Sequence, residues 1–158
     1  MREHPDHYDA ELLLRLYDLR REAKLRQARD WFMREFRASS SEELEKRFAD
    51  HPEESPLFRM VISYWDMAAS IVNHGLINEE FFFENTGEFW FVWTKIKHLA
   101  PQMRESMKYP FVWKNLETLA DKFEKWRNGK APGSVDAMRA MVPKLHQATP
   151  SSATGKNS

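Results

Sequence analysis

The sequence predicts an all-α fold: a compact bundle of five or six helices followed by a disordered C-terminal tail. Three observations predict it. Apolar residues recur at three- and four-residue spacing in every long segment, and the alternation of a half-buried strand is hard to find. Glycine occurs only five times in 158 residues, and helix-boundary signals stand at Ser40, Ser55, Gly75 and Gly129. Residues 81–93 hold seven of the seventeen Phe and Trp side chains. Burying one such ring is worth roughly 1.5–3 kcal/mol, so the core, or a partner's docking face, has to lie there.

Taken in order, residues 1–9 read as a flexible N-terminus. A first helix is expected over residues 10–36. Leu12, Leu16, Leu19 and Ala23 form one stripe, and Ala28, Trp31, Phe32 and Phe36 continue it after a shift in phase. Ser39, Ser40 and Ser41 end it, and Ser40 with Glu43 three residues on is a capping box for a short helix to Asp50. Ser55 as N-cap and Pro56 at the first helical position open the next helix. Leu57, Phe58, Val61, Ile62, Trp65, Ala68 and Val72 make it apolar nearly all round, which puts it at the centre of the bundle. Gly75 is its natural C-cap.

Asn78 can cap a short helix over residues 79–84, and Thr86 the following one through Trp93 and Ile96. Pro101 either starts a new helix or kinks this one. A last confident helix is expected from Pro110 to Gly129, through Trp113, Leu116, Leu119, Ala120, Phe123 and Trp126. The bundle domain therefore spans residues 10–130. Residues 131–158 read as weakly helical over 136–142 and then, from Thr149, as a polar disordered tail.

Lys+Arg and Asp+Glu are both 24, so the formal net charge is zero. A general nucleic-acid binder carries a basic excess that neutralises phosphates, and none exists globally. Cysteine is absent, which removes disulfides, thiolate nucleophiles and Cys-ligated metals and suits a reducing cytoplasm. No secretory leader is read at the N-terminus. The longest charge-free stretch, residues 67–78, falls short of the roughly 20 apolar residues a bilayer needs.

The block Tyr64-Trp65-Asp66-Met67-Ala68-Ala69, then Gly75-Leu76-Ile77-Asn78-Glu79-Glu80, then Gly87, Trp93, Pro101 and Arg104 resembles the bacterial family catalogued as domain of unknown function 4760. Asp66 stands where that pattern has Glu, and Asn78 where it has Asp. Members often carry a membrane-spanning segment ahead of the domain, and none is read here. The resemblance implies an all-helical fold. It implies no established activity and no catalytic residue.

Asp66 is the only acid between Arg59 and Glu79, on a helix otherwise suited to burial. A buried carboxylate must be paired, and Arg104 is the expected partner, as a structural pair or as a ligand site; the other reading of Asp66 is simple exposure on a narrow polar stripe. His74 beside Gly75 reads as a helix C-terminal residue facing the dipole. His4, Asp6, His7 and Asp9 are metal-compatible but lack a visible supporting shell, so no metal and no cofactor is assigned. Arg139 and His146 have an Arg–His spacing used by helical ribonucleases, interrupted by Pro143, which should break the helix that would hold them. No Gly-rich phosphate loop, zinc helix or nucleophile elbow is present, so no catalytic residue is assigned either.

The expected function is non-enzymatic: a cytoplasmic helical module that self-associates, as a homodimer, or binds another protein. Trp31, Phe36, Phe82, Phe89 and Trp90 are the expected interface, because these segments offer more rings than one small core comfortably holds. The alternative is a nucleic-acid-linked regulatory or phage-defence module using the basic first helix, with Arg15, Arg20, Arg21, Lys24, Arg26, Arg29, Arg34 and Arg37. Its interspersed acids, Glu22 and Asp30 among them, read instead as a solvated face.

Overall fold

Every long apolar stripe of the sequence becomes a helix in the computed structural model, which describes residues 3–145. The elements are α1 (His7–Arg20), α2 (Ala23–Arg34), α3 (Ser41–Asp50), α4 (Glu54–Asn73), α5 (Glu79–Asn85), α6 (Glu88–Ile96), a 3-10 turn (Lys97–Leu99), α7 (Ala100–Ser106), α8 (Lys114–Lys130) and α9 (Ser134–Leu145). No strand occurs among the described residues. The helices outnumber the five or six expected. The residues of the expected C-terminal tail, 149–158, lie outside the described ones.

The extra helices come from breaks that apolar spacing alone does not mark. The expected first helix divides at Arg21, and Glu22 starts α2 by accepting the Leu25 N–H at 3.0 Å. That hydrogen bond, with a second backbone N–H at Lys24, holds the Glu22 carboxyl below its ordinary range. The phase shift between the Leu12–Leu19 stripe and the Ala28–Phe36 stripe is the sequence trace of this corner. α1 itself starts on an Asp6–Asp9 capping box, so two of the metal-compatible N-terminal residues serve as helix caps.

Several expected boundaries stand as read. Ser40 accepts the Glu43 N–H at 3.1 Å and Asn78 accepts the Phe81 N–H at 2.9 Å. Gly75 closes α4 at φ +76°, with Gly75 N–H donating to Val72 O at 2.9 Å and Leu76 N–H to Ile71 O at 3.1 Å, the paired bonds of a Schellman ending. Others differ. α4 starts two residues early, with Glu53 at the cap position, so Ser55 is inside it and not its cap. Gly87 replaces Thr86 as the N-cap of α6. Pro101 falls in the first turn of α7, where its missing N–H costs nothing. Pro143 lies inside α9 and does not end it.

α4 is the central element. It packs against α8 on one side and α2 on the other, and α6 closes on both α4 and α8. Phe82, Phe83, Phe89, Phe123 and Trp126 form one run of ring contacts 5.3–6.4 Å apart. Phe32, Phe36, Phe48, Phe58 and Trp113 form a second at 5.0–6.3 Å. The two clusters take up ten of the chain's 21 aromatic rings. Trp31, Phe36, Phe82, Phe89 and Trp90 are all buried within one chain, none above 7 % exposed. They are core, and the expected interface through them is corrected: α5 and α6 meet at Gly87 and turn both ring-bearing faces inward.

Candidate functional site

Asp66 and Arg104 do not pair. α8 is entered through Trp113 in the left-handed region, at φ +57°, with no side-chain cap of its own. Asp66, projecting from α4, supplies the cap from across the bundle: its Oδ1 accepts the Leu116 N–H at 3.1 Å and its Oδ2 accepts from Asn115 Nδ2 at 3.3 Å. The carboxylate also faces the positive end of the α8 dipole. Asn73 Nδ2 adds a bond to Asn115 O at 3.0 Å. Arg104 holds the same junction from the other side, donating to Val112 O at 2.9 Å and pairing with Glu117 at 3.1 Å. Burial acts first on Glu117 and raises its carboxyl, but the hydrogen bonds from Lys114 and Arg104 outweigh it and bring it below its ordinary value. Both residues are joints that fix where α8 begins.

Asp9 does similar work and was not singled out as buried by its sequence context. Fully buried, it accepts the Asp6 N–H at one oxygen and the Asn78 N–H at the other, both at 2.6 Å. It ties the start of α1 to the start of α5. His74 sits at the C-cap of α4 with Nδ1 2.8 Å from Ser70 O. Arg139 pairs with Asp136 at 2.8 Å and Glu124 at 3.4 Å, and His146 lies outside the described residues. Among the described residues no group of three or more His, Asp or Glu side chains is arranged to hold a metal.

Two surface features lie beside α1, one on each flank. The first is a groove of about 410 Å³ between the α1–α2 corner and the outer side of α4. Its walls are Leu19, Met60 and Met67, with Ser63 between the two methionines and Leu25 and Tyr64 at its base. Leu19 is 52 % and Met67 43 % exposed. The floor is rigid: the Tyr64 hydroxyl donates to Leu16 O, and burial, the leading cause, pushes its ionisation up to about 12.

The second is a cleft of about 220 Å³ between α1, α4 and the α5–α6 turn, built around Trp65. Trp65 Nε1 donates to Glu88 Oε2 at 3.0 Å. Arg29 grips the same carboxylate with two bonds, at 2.7 and 3.0 Å, and reaches Arg20 O at 3.2 Å. The Arg20 guanidinium lies over the Trp65 ring at 5.2 Å and the Tyr17 ring at 5.5 Å.

A sequence model of the family described as Domain of unknown function (DUF4760) matches residues 7–126. The chain belongs to that family. Comparison with curated proteins and with solved structures gave no match. The DUF4760 match runs from the first residue of α1 into the last turn and a half of α8. It therefore takes in the groove, the Trp65 cleft and the Asp66 joint, and it stops short of α9. Among the described residues of this DUF4760 chain, no helix is long and apolar enough to cross a membrane.

Proposed function

We propose that this domain is a non-enzymatic self-association module that forms a homodimer through the groove between α1 and α4. The observation that carries the reading is the stripe Met60, Ser63, Met67 on the outer face of α4, beside the exposed Leu19. Its three- and four-residue steps are the spacing of a helix–helix seam. Two copies of α4 running antiparallel about the Ser63–Tyr64 midpoint bring Met60 of each onto Met67 of the other. A self-complementary patch of this kind is what a two-fold dimer requires. Ser63 lets the backbones approach, and methionine adapts its shape to the facing surface. The zero net charge leaves no overall repulsion between copies. Consistent with this preference over the nucleic-acid alternative, Arg29 and Arg34 of the basic stretch are engaged with Glu88 and Asp30. We infer a bacterial, cytoplasmic setting from the family resemblance and the cysteine-free composition.

Light scattering after size exclusion, across a dilution series, tests the reading. Wild type is expected at dimer mass, falling toward monomer on dilution. Met67→Glu, at a half-exposed position, should be monomeric throughout with an unchanged melting temperature. A monomer mass for wild type at every concentration overturns the proposal.

A further inference from the structure

The cleft on the other flank of α1 has a chemistry that apolar pairing does not use. Its lining combines Leu13 and Tyr17 of α1, Trp65 of α4, Asn85 and Thr86 of the α5–α6 turn, and the guanidinium of Arg20. Around Trp65 stand two guanidiniums, Arg20 and Arg29, and one carboxylate, Glu88. Glu88 is saturated by Arg29 and by the Trp65 indole N–H, so one positive charge is left over. It belongs to Arg20. No carboxylate pairs with Arg20 among the described residues, and its Nε–H is buried without an acceptor. A guanidinium fits a carboxylate with two parallel bonds, and because the Nε–H is closed to the cleft those bonds come from the two terminal nitrogens. The aromatic faces of Tyr17 and Trp65 hold the guanidinium in place, so little side-chain freedom is lost when an anion arrives.

We propose that this cleft binds a small organic carboxylate carrying a flat apolar body, with the carboxylate on Arg20 and the ring against Leu13 and Tyr17, above a floor closed by the buried Trp65. The size of the space sets the ligand. At roughly 30 Å³ per water in the liquid, 220 Å³ holds about seven waters, enough for one six-membered ring and its carboxylate. The backbone of this site is fixed independently of the ligand, because Glu88 sits in the first turn of α6 and Trp65 in the middle of α4. The proposal is also independent of dimer formation, since Met60 and Met67 lie on the opposite flank of α1 and line a different space.

The experiment is an NMR titration that follows the assigned Trp65 indole N–H, using benzoate, benzamide and acetate as probes on wild type and on the Met67→Glu variant. Benzoate should give a saturable shift with a dissociation constant on the order of 1 mM. Benzamide, which has the ring without the charge, and acetate, which has the charge without the ring, should each bind at least about tenfold more weakly, a difference of about 1.4 kcal/mol. Arg20→Met should remove the preference for benzoate over benzamide. Arg20→Lys keeps the charge and stem and loses the planar fork, so its benzoate affinity should fall at least about threefold. Equal affinity for benzoate and benzamide overturns the proposal, as does benzoate binding unchanged in Arg20→Lys, or no saturable shift below about 20 mM. A benzoate response in Met67→Glu equal to wild type is expected, and its loss would mean that the cleft depends on the other flank and refute the independence claimed here.

Discussion

Replacing Asp66 tests the reading of the α4–α8 joint most directly. Asp66→Ala removes the acceptor of the Leu116 N–H and the partner of Asn115 Nδ2. Loss of an N-terminal cap typically costs about 1 kcal/mol, within about 0.5–2. Loss of a carboxylate facing a helix N-terminus adds about 0.3–1 kcal/mol. The expected cost is therefore about 1.3–2 kcal/mol. That lies below the ~3–5 kcal/mol expected when one partner of a buried ion pair is removed, and above the ±0.5 kcal/mol of ordinary surface changes. Asp66→Asn keeps an acceptor and loses only the charge, so it should cost about 1 kcal/mol or less. Urea unfolding followed by far-UV circular dichroism gives both values. Hydrogen exchange supplies the local readout: in Asp66→Ala the Leu116 amide should lose protection more than amides in the middle of α8. A cost for Asp66→Ala above about 3 kcal/mol, or Leu116 protection unchanged in that variant, would refute the cap.

Two further outcomes can be checked with the same instruments. Burial, with added repulsion from Arg37 and Arg47, pushes the Lys95 ammonium from its ordinary 10.5 down to about 7. The unfolded chain then binds more protons than the folded one between those values, so this group makes stability rise with pH across that window, and its burial penalty is fully present below about 7. Lys95→Met should flatten that slope in denaturation series at pH values from about 7 to 10, and an unchanged slope would remove Lys95 as its source. Gly75→Ala should cost about 1–2 kcal/mol for the left-handed backbone alone, because no atom lies within 4 Å of the added Cβ. A cost near zero would mean that the α4 ending relaxes to another geometry.

How much of this was legible depends on whether the deciding interaction is local. Ser40, Asn78 and Gly75 act on backbone three residues away or less, and their roles could be read from sequence. The α1–α2 corner was half legible: the phase shift of the apolar stripe was visible, but Glu22 is a rare cap type and did not announce the break. The start of α8 was not legible, because its cap is Asp66, fifty residues back along the chain, and because Trp113 takes a backbone conformation that bulky residues seldom adopt. Pro110 therefore looked like a helix start and is followed instead by a turn. The apolar excess was misassigned for a different reason. Summed ring volume says how much surface must be hidden but not where, and three of the five rings, Phe82, Phe89 and Trp90, are hidden by their own neighbours when two short helices meet at a glycine and fold onto the bundle. Once those rings are seated, the exposed apolar side chains that matter are the unobtrusive ones, Leu19 and Met67. They stand out only when α1 and α4 lie side by side. The same holds for Arg20, one of eight basic residues in a stretch that reads as solvated surface. Its difference from Arg29 is that Arg29 meets Glu88 from fifty-nine residues away, whereas Arg20 meets two aromatic faces and, among the described residues, no carboxylate. The sequence does not distinguish these arginines, and only the tertiary pairing of their neighbours shows which one the proposed carboxylate site would use.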